Sequence, residues 1–585
     1  MSRTRPAARW LPPPAAPDGV TDALADALRP AADQSGKTAV PREVCALLAA
    51  RGLTELGAVK RFLRPALADL EAPETIADLA VAADRLAAAV RSGERILVHG
   101  DYDVDGICST TLITRVLRRL GGDVVPFIPD RLRDGYDLGR AGVDRAREVG
   151  ARVVLTCDCG TTAVAPADAL RAAGIDLIIS DHHLPGPTLP AAFALVNPRR
   201  ADCPSADKDL AAVGVAYKLG LAVCRRLGGD EGTVHALLDL VALATIADVA
   251  PLRGENRILV RHGLQRMAQS TLVGLRALIR AARLDATALT AGRVGFTLAP
   301  RLNALGRLRQ AIRGVELLLA EDEATANTIA RECEELNQER QAMDRAILDE
   351  VLADVGRRDL DREWGLVLHS DRWHAGVIGI VASRVVEATG RPAMLIAVAD
   401  GVGKGSGRSN GALDLHAALA ECGDLLVKHG GHRAAAGLTI APERIPAFAE
   451  RFNAVARARQ TADDLVPRLR TDLEIPLESA DIRLERAFRH LEPFGVGNPG
   501  PVLVSRGVTV VGAPRRVGTD GVKFAIDRSG EPLEAIAWGL GARSSLVRAG
   551  ATLDLAYKLD LNRFRGAEVL QAVVQDLRPA GASDG

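Results

Sequence analysis

Three carboxylates occupy alternate positions in residues 100–106. The segment reads GDYDVDG and contains Asp101, Asp103 and Asp105, directly after the apolar run RILVH at 95–99. Carboxylates this close repel one another, and each raises the pKa of the others. A bound cation relieves that repulsion, and oxygen ligands suit hard ions such as Mg²⁺ or Mn²⁺. The pattern predicts a metal site; the alternative is a solvated acidic turn.

Further carboxylates and a pair of histidines follow later apolar runs. They are Asp158 after residues 152–156, Asp181, His182 and His183 after residues 176–180, and Asp248 near the end of the run VALATIADV. A lone histidine is more often structural, but two adjacent histidines after an aspartate at a strand end are uncommon. Imidazole combined with carboxylate favours Mn²⁺ over Ca²⁺. These residues strengthen the metal prediction.

Two basic segments have the composition of phosphate-binding sites. Residues 286–315 contain five arginines and no acidic residue, and residues 403–409 read GKGSGRS. Arginine forks bind phosphate in bidentate fashion, and glycine-rich loops present backbone N–H groups to anions. The candidate ligands are Arg301, Asn303, Arg307, Ser406, Gly407 and Arg408; the GGH triplet that contains His432 is by itself a turn signal. For the first segment the alternative is a solvated basic helix.

Strands that alternate with helices must position the acidic residues and histidines. Five short apolar runs, at 95–99, 124–128, 152–156, 176–180 and 193–197, are separated by helical stretches. This alternation predicts an α/β fold with a parallel sheet. Reacting groups in such sheets gather just past the C-terminal strand ends, which is where these side chains fall.

The length of 585 residues predicts about three to five domains. We expect a disordered tail at 1–18, an N-terminal helical region at 19–90 and an α/β catalytic domain at 91–265. A helical region with the basic segment and a long connector helix follows at 266–355, then a second α/β domain at 356–462. From 463 to 580, short runs between glycine turns predict a DNA-binding β-barrel of the OB type.

Composition excludes few partners. The 74 basic and 74 acidic residues cancel, which neither supports nor opposes nucleic-acid binding. No apolar run approaches the roughly 20 residues needed to cross a bilayer, no secretory signal is present, and the eight cysteines lack paired zinc spacing, so we expect a cytoplasmic protein with reduced thiols. Aromatic residues are scarce at 3%; the candidates for base stacking are Tyr136, Trp373, Phe494, Trp538 and Phe564.

Several motifs occur in the order typical of one enzyme family. They are GDYDVDG, the strand-borne Asp158, SDHHLPG followed by VNP, LAAVGVAYKL, and LLDLVALATIADVAPL. In this order the chain resembles the DHH phosphoesterase family and, within it, the RecJ exonucleases. PRLNALGR (300–307) is similar to a RecJ signature, and WHAGVIGIVASR, KGSGRS and GGH are similar to the DHHA1 substrate-binding domain. The resemblance extends from about residue 40 through the C-terminal stretch.

The resemblance implies roles for individual residues. The metal ligands would be Asp103, Asp105, Asp158, His182 and Asp248, holding two Mn²⁺ or Mg²⁺ ions, with Asp101 and His183 as catalytic or supporting groups. Arg301, Ser406 and Arg408 would bind the 5′-terminal phosphate. His99 stands where related pyrophosphatases have a ligand histidine, a weaker indication. Cys159 is a departure, since many family members have asparagine there.

The resemblance also implies a metal-dependent exonuclease that degrades single-stranded DNA from 5′ to 3′ in DNA repair and recombination. A helicase and a single-strand-binding protein would be its partners. One alternative is a DHH phosphodiesterase acting on short oligonucleotides or cyclic dinucleotides, which the C-terminal barrel disfavours. Another is a non-catalytic single-strand DNA-binding scaffold, which the filled ligand positions disfavour.

Overall fold

The computed structural model describes residues 8–29, 40–130, 133–135, 137–518, 520–564 and 567–582. The chain divides into two compact units. The first unit comprises residues 61–340 and 492–499, and the second comprises residues 1–60, 341–491 and 500–585. Each unit has its own sheets and its own core.

The described part of the N-terminal segment contains one short strand and three α-helices. These are β1 (Arg9–Leu11), α1 (Val20–Ala27), α2 (Arg42–Ala50) and α3 (Leu56–Leu63).

The first unit is built on a five-stranded parallel sheet. Its elements are α4 (Leu79–Ser92), β2 (Arg95–Gly100), α5 (Val104–Arg119), β3 (Asp123–Phe127), α6 (Arg140–Glu148), β4 (Val153–Cys157), α7 (Val164–Ala172), β5 (Asp176–Ser180) and β6 (Ala194–Val196). The strand order is β3-β2-β4-β5-β6, and every pair is parallel. Helices cover both faces, so β4 is buried along its whole length. The predicted parallel α/β fold is confirmed.

Helices complete this unit. They are α8 (Ala212–Arg226), α9 (Gly232–His235), α10 (Leu238–Ala247), α11 (Gly254–Met267), α12 (Val273–Ala281), α13 (Ala291–Arg293), a π-helical turn (Val294–Leu298), α14 (Ala299–Leu308) and α15 (Ile312–Leu319). The predicted long helix is α16 (Glu323–Val355), which begins in the first unit and ends in the second.

The second unit contains a mixed sheet with helices. Its elements are β7 (Leu366–Ser370), α17 (Ile378–Thr389), β8 (Ala393–Ala399), β9 (Val402–Arg408), α18 (Leu415–Ala420), β10 (Lys428–Gly431), β11 (Ala435–Ile440) and α19 (Ile445–Arg459). The strand order is β10-β11-β9-β8-β7, with only β7 and β8 parallel. This is the predicted second α/β pattern.

A closed barrel follows in the same unit. Its elements are β12 (Arg468–Arg470), β13 (Leu473–Glu474), α20 (Ile482–Arg489), β14 (Leu503–Val517), β15 (Gly521–Arg528), β16 (Glu531–Trp538), β17 (Thr552–Phe564) and β18 (Ala567–Pro579). Strands β14, β15, β16, β18 and β17 pair in that order, and β17 pairs back onto β14. The five-stranded closure confirms the predicted OB-type barrel.

The N-terminal segment corrects one expectation. Strand β1 pairs in parallel with β12, and Trp10 is buried, so the disordered tail expected at 1–18 is wrong for residues 9–11. The Trp10 ring packs beneath the Arg578 guanidinium, and its indole N–H donates to Asp576 Oδ2 at 2.8 Å. The Pro-rich composition alone predicted a disordered tail. That prediction failed for these residues because the partners of Trp10 lie more than 560 residues away in the sequence.

Among the residues that the structure describes, none of the helices has the length and apolar character needed to cross a membrane. All eight cysteines are buried free thiols.

We predict that Trp10→Ala lowers the free energy of unfolding by about 3–5 kcal/mol, the usual range for truncating a buried tryptophan. Trp10→Phe, which keeps an aromatic ring but loses the indole donor, should lose much less. Thermal and denaturant unfolding of both variants checks this. Wild-type stability in Trp10→Ala would show that β1 contributes nothing to the unit.

Candidate metal centre and anion-binding elements

The C-terminal ends of neighbouring parallel strands bring three aspartates to one edge of the first sheet. The backbone N–H of Asp101 donates to Cys157 O, that of Asp158 to Ser180 O, and that of Asp181 to Val196 O. Each aspartate thus continues the hydrogen-bond ladder one residue beyond its strand. Their side chains emerge where the buried strands stop.

Two glycines allow the GDYDVDG loop to fold tightly. A Cβ at Gly100 would lie 2.0 Å from Thr110 Oγ1, and one at Gly106 would lie 2.3 Å from Asp101 O. Asp103 caps α5, with its Oδ1 accepting hydrogen bonds from the backbone N–H groups of Asp105 and Gly106 at 2.9 and 3.2 Å. The glycines are therefore required for close approach, and the aspartates are fixed by the start of a helix.

Asp105 is buried and anchored by a second helix. Its two carboxylate oxygens accept hydrogen bonds from the N–H groups of Ala212 and Val213 at 2.8 and 2.9 Å, at the start of α8. Burial, and then the charge of Asp103, raise the pKa of Asp105 to about 7. The start of α8 provides donors and a favourable dipole for this carboxylate.

All seven residues predicted for the metal centre lie in three overlapping donor groups. The groups are Asp158 with His182 and His183, Asp105 with His182 and Asp248, and Asp101 with Asp103 and Asp158, each with ligand atoms within 4.8 Å of one another. His182 Nε2 lies 3.2 Å from Asp158 Oδ1 and 3.8 Å from Asp248 Oδ2. Asp158 and His182 each belong to two groups, so the groups form one continuous cluster.

The charges in the cluster fit divalent cations. Burial, and then Asp105 and the other clustered carboxylates, raise the pKa of Asp158 well above its usual range, and the same causes raise the pKa of Asp248 to about 8. Asp158 Oδ1 is buried and accepts no hydrogen bond from any described residue. Burial lowers the pKa of His182 to about 4, which keeps the imidazole in the neutral form that binds metals. A bound cation would relieve the repulsion among the carboxylates and would be coordinated by Asp158 Oδ1.

Asp181 supports the histidines, a role that the sequence did not predict. Its Oδ1 accepts from the N–H groups of His182 and His183 and lies 2.8 Å from His183 Nδ1. Burial alone would lower the pKa of His183, but the Asp181 carboxylate raises it to about 9. Asn197 adds a second support, since its Nδ2 donates to His183 O at 2.8 Å.

His99 and Cys159 contact each other. His99 Nδ1 lies 3.5 Å from Cys159 Sγ, and Gly142 of α6 packs against the imidazole ring. Burial lowers the pKa of His99 to about 4. Neither residue belongs to a donor group among the described residues. The thiol therefore faces this buried histidine.

The PRLNALGR segment forms α14, which packs against the metal-binding loop. A Cβ at Gly306 would lie 2.3 Å from Tyr102 O. Arg301 is paired, with its Nε 2.6 Å from Glu334 Oε2 and its Nη1 donating to Thr297 O at 2.5 Å. The solvated basic helix is thus wrong for Arg301, and its acidic partner lies on α16, outside the segment without acidic residues. Asn303 and Arg307 are half-buried on the same helix.

Phe296 is an exposed aromatic ring that the sequence reading missed. It is 89% exposed on the π-helical turn, and neighbouring Gly295 packs against Ile246, two residues before Asp248. Of the rings considered for base stacking, Trp373 is buried, Phe494 is half-buried and Trp538 is 46% exposed. Tyr136 and the ring of Phe564 lie outside the described residues.

In the second unit, β9 presents Ser406 and Arg408 to the start of α17. A Cβ at Gly379 would lie 2.8 Å from Ser406 Oγ and 3.2 Å from Arg408 Nη2. Arg408 Nη1 donates to Gly407 O at 2.8 Å, and no carboxylate of the described residues pairs with this guanidinium. Burial lowers the pKa of Arg408. A half-buried cation beside a hydroxyl and a helix N-terminus forms an anion-binding arrangement.

His432 lies in the turn that joins β10 to β11, in the same sheet. It is exposed, and its backbone N–H donates to Ala435 O, the residue that pairs with Arg408 across β9 and β11.

Comparison with known proteins decides the family. The "single-stranded-DNA-specific exonuclease RecJ" of Dickeya dadantii (strain 3937) is 36% identical over 572 residues, covering 94% of this chain and 98% of that protein. The chain belongs to the RecJ family. The crystal structure of RecJ with Mn²⁺ from Thermus thermophilus matches with a TM-score of 0.83 and 34% identity, covering 99% of this chain and 80% of that chain. The Mg²⁺ complex matches with a TM-score of 0.78 and 32% identity, covering 99% and 79%.

Family models match three segments of this RecJ-family chain. The DHH family, N-terminal domain, matches residues 95–245, the DHHA1 domain matches residues 365–458, and the RecJ OB domain matches residues 471–576. These segments contain the parallel sheet, the mixed sheet and the barrel respectively. The domain boundaries expected from sequence stay predictions, as do the roles of the individual site residues.

We predict that Gly306→Ala weakens Mn²⁺ binding, because the added methyl must displace Tyr102 and with it the loop that carries Asp103. A displacement of about 1 Å can lower activity by about 100-fold in a preorganised site. Gly292→Ala is the matched control, because its nearest neighbouring atom is 3.8 Å away. Titration calorimetry with Mn²⁺ compares the two; equal affinities would contradict the packing argument.

Proposed function

We propose that the chain is a metal-dependent exonuclease that hydrolyses single-stranded DNA from its 5′ end. The observation that carries the proposal is the cluster of five aspartates and two histidines at one edge of the first sheet. Bound Mn²⁺ or Mg²⁺ would supply Lewis acidity and a water acidic enough to attack a phosphodiester near neutral pH. The RecJ family membership and the Mn²⁺ and Mg²⁺ complexes of the Thermus protein support this assignment.

Side chains of this protein would position the metal ions and the substrate phosphate. Asp103, Asp105, Asp158, His182 and Asp248 hold the ions. His183, whose pKa the Asp181 carboxylate raises, lies 3.9 Å from Asp158 Oδ1 and is the group we assign to orient the phosphate or protonate the leaving oxygen.

Specificity for single strands has support outside the metal cluster. The relative from Dickeya is named for that specificity. A closed OB barrel is a common single-strand binder, and aromatic rings stack on unpaired bases whatever their sequence. The exposed rings of Phe296 in the first unit and Trp538 in the barrel suit such contacts. We propose single-stranded DNA as the substrate and partner on these grounds.

The arrangement around Arg408 supports recognition of the 5′ end. A terminal phosphate carries more charge and more free oxygens than an internal diester. Arg408 and Ser406 offer a cation and a hydroxyl beside the start of α17, without a competing carboxylate among the described residues. We assign this pocket to the 5′ phosphate; Gly407, His432 and, in the first unit, Arg301, Asn303 and Arg307 are proposed DNA contacts.

The alternatives have less support. The RecJ OB domain at residues 471–576 disfavours a small oligonucleotide or cyclic-dinucleotide phosphodiesterase, and the complete ligand cluster disfavours a non-catalytic scaffold. We further propose that the chain acts in DNA repair and recombination in the cytoplasm, with a helicase and a single-strand-binding protein.

We predict that the wild type, with Mn²⁺ or Mg²⁺, releases nucleotides from the 5′ end of single-stranded DNA. Blunt duplex should resist. Asp158→Asn should abolish cleavage because it removes a ligand charge, while asparagine tolerates the left-handed backbone at this position (φ 67°). Digestion of 5′-labelled and 3′-labelled strands measures rate and direction.

The Asp158→Asn variant should keep the fold and much of the DNA affinity, which circular dichroism and fluorescence anisotropy check. Near-normal turnover in this variant would refute the metal assignment. Equal rates on single and double strands would refute the substrate assignment.

We predict that Arg408→Ala reduces kcat/KM strongly on 5′-phosphorylated strands and much less on 5′-hydroxyl strands. Losing one charge-assisted hydrogen bond should weaken binding by roughly tenfold to a hundredfold. Arg433→Ala, an exposed arginine in the β10–β11 turn, is the control. An equal loss of kcat/KM on both substrates would show that Arg408 contacts internal phosphates of the DNA, and that the 5′ phosphate is bound elsewhere.

A further inference from the structure

The loop that carries Asp158 has an unfavourable backbone conformation. Asp158 has φ 67°, in the left-handed region that residues other than glycine rarely adopt. Such a conformation persists only where the surroundings hold it, and it is often found at functional sites. Because Asp158 belongs to two of the three donor groups, its orientation affects the whole cluster.

Asp137 holds this loop from one side. Its Oδ1 accepts a hydrogen bond from the backbone N–H of Gly160 at 2.6 Å, and its Oδ2 accepts one from Thr162 Oγ1 at 2.8 Å. The same Oδ1 accepts from the N–H of Leu138 at 2.8 Å, which ties the carboxylate to its own backbone just before α6. The Asp137 side chain therefore anchors Gly160 and Thr162, which lie two and four residues after Asp158.

Other residues hold the intervening positions of the loop. The N–H of Thr161 donates to Asp181 Oδ2 at 3.0 Å, and Asn197 Nδ2 donates to Thr161 Oγ1 at 2.9 Å. Thr156 Oγ1 donates to Cys159 O at 2.7 Å. All four residues from 159 to 162 are thus anchored by side chains. Asp181 and Asn197 also hold His183, whereas the hydrogen bonds of Asp137 described above serve this loop and its own turn.

We infer that Asp137 is a positioning residue of the metal centre, which sets the direction of the Asp158 carboxylate by anchoring Gly160 and Thr162. It is not a ligand: both oxygens accept hydrogen bonds from the loop, and Asp137 belongs to no donor group among the described residues. The inference concerns metal binding, and its catalytic consequence rests on the proposed nuclease function.

Two substitutions of Asp137 distinguish the effect of its hydrogen bonds from the effect of its charge. In Asp137→Asn, the amide oxygen can still accept from Gly160 and Leu138, and the amide nitrogen can donate to the Thr162 hydroxyl. In Asp137→Gly, all three contacts are lost while the positive φ of 74° at this position is accommodated without strain. Asp400→Gly is the matched control, because Asp400 is also an aspartate at positive φ (50°) but lies exposed in the β8–β9 turn.

The experiment measures Mn²⁺ affinity by titration calorimetry on the full chain, and kcat and KM on a 5′-phosphorylated single strand. Removing an outer support of a metal ligand typically lowers affinity or activity by about 10-fold to 100-fold. We expect Asp137→Gly to lose about that factor in Mn²⁺ affinity and in kcat, with KM nearly unchanged. Asp137→Asn should stay within about threefold of wild type, and Asp400→Gly should match the wild type.

Two results would overturn the inference. One is wild-type Mn²⁺ affinity in a folded Asp137→Gly protein. The other is equal damage in the asparagine and glycine variants, which would indicate that the charge of Asp137 matters rather than its hydrogen bonds. If Asp137→Gly fails to fold, Thr162→Val, which removes only the Oδ2 contact at an exposed position, should give a smaller loss in Mn²⁺ affinity, and no loss would refute the inference. A wild type that binds Mn²⁺ but cleaves no DNA would refute the nuclease proposal alone.

Discussion

Electrostatic repulsion among clustered carboxylates is the constraint on which the first unit depends. Asp101, Asp105 and Asp158 are buried, and Asp103 and Asp248 are half-buried. Their charges are therefore poorly screened, and burial raises the pKa of several of them. Backbone N–H groups that point at the carboxylates offset part of this repulsion. The start of α5 holds one of these carboxylates and the start of α8 holds another, so two helix N-termini direct partial positive charge into the cluster. Cations complete the neutralisation that the helices begin.

Side chains behind the proposed ligands hold those ligands in fixed positions by hydrogen bonds. Asp181 and Asn197 hold the histidine pair, and Asp137 and Asp181 both hold the loop beyond Asp158. Asp137 and Asp181 act as acceptors and Asn197 as a donor, and none of the three belongs to a donor group among the described residues. Their arrangement explains how a non-glycine residue remains in a left-handed conformation at the centre of the cluster.

The sequence was most informative where local pattern and chemistry coincide. Apolar runs of strand length located β2, β4 and β5, and the polar residue after each run located the metal centre, because parallel strands bring their C-terminal ends to one edge. Long-range partners were beyond this reasoning. The burial of Trp10 depends on Asp576 and Arg578, and the pairing of Arg301 depends on Glu334. None of these three partners can be read from the local sequence, since charge and ring contacts between distant segments leave no periodic signal.

The two proposed binding functions have separate physical supports. The metal centre is assembled within the first unit from strand ends and helix starts, whereas the anion-binding arrangement around Arg408 lies within the second unit, on β9 and the start of α17. Each has its own required glycine, Gly306 against the metal-binding loop and Gly379 against Ser406 and Arg408. Because the supports share no residue, a change in one should alter metal affinity or phosphate affinity without altering the other. Under the proposed function, cleavage at a 5′ terminus needs both the metal centre and the Arg408 arrangement to be intact.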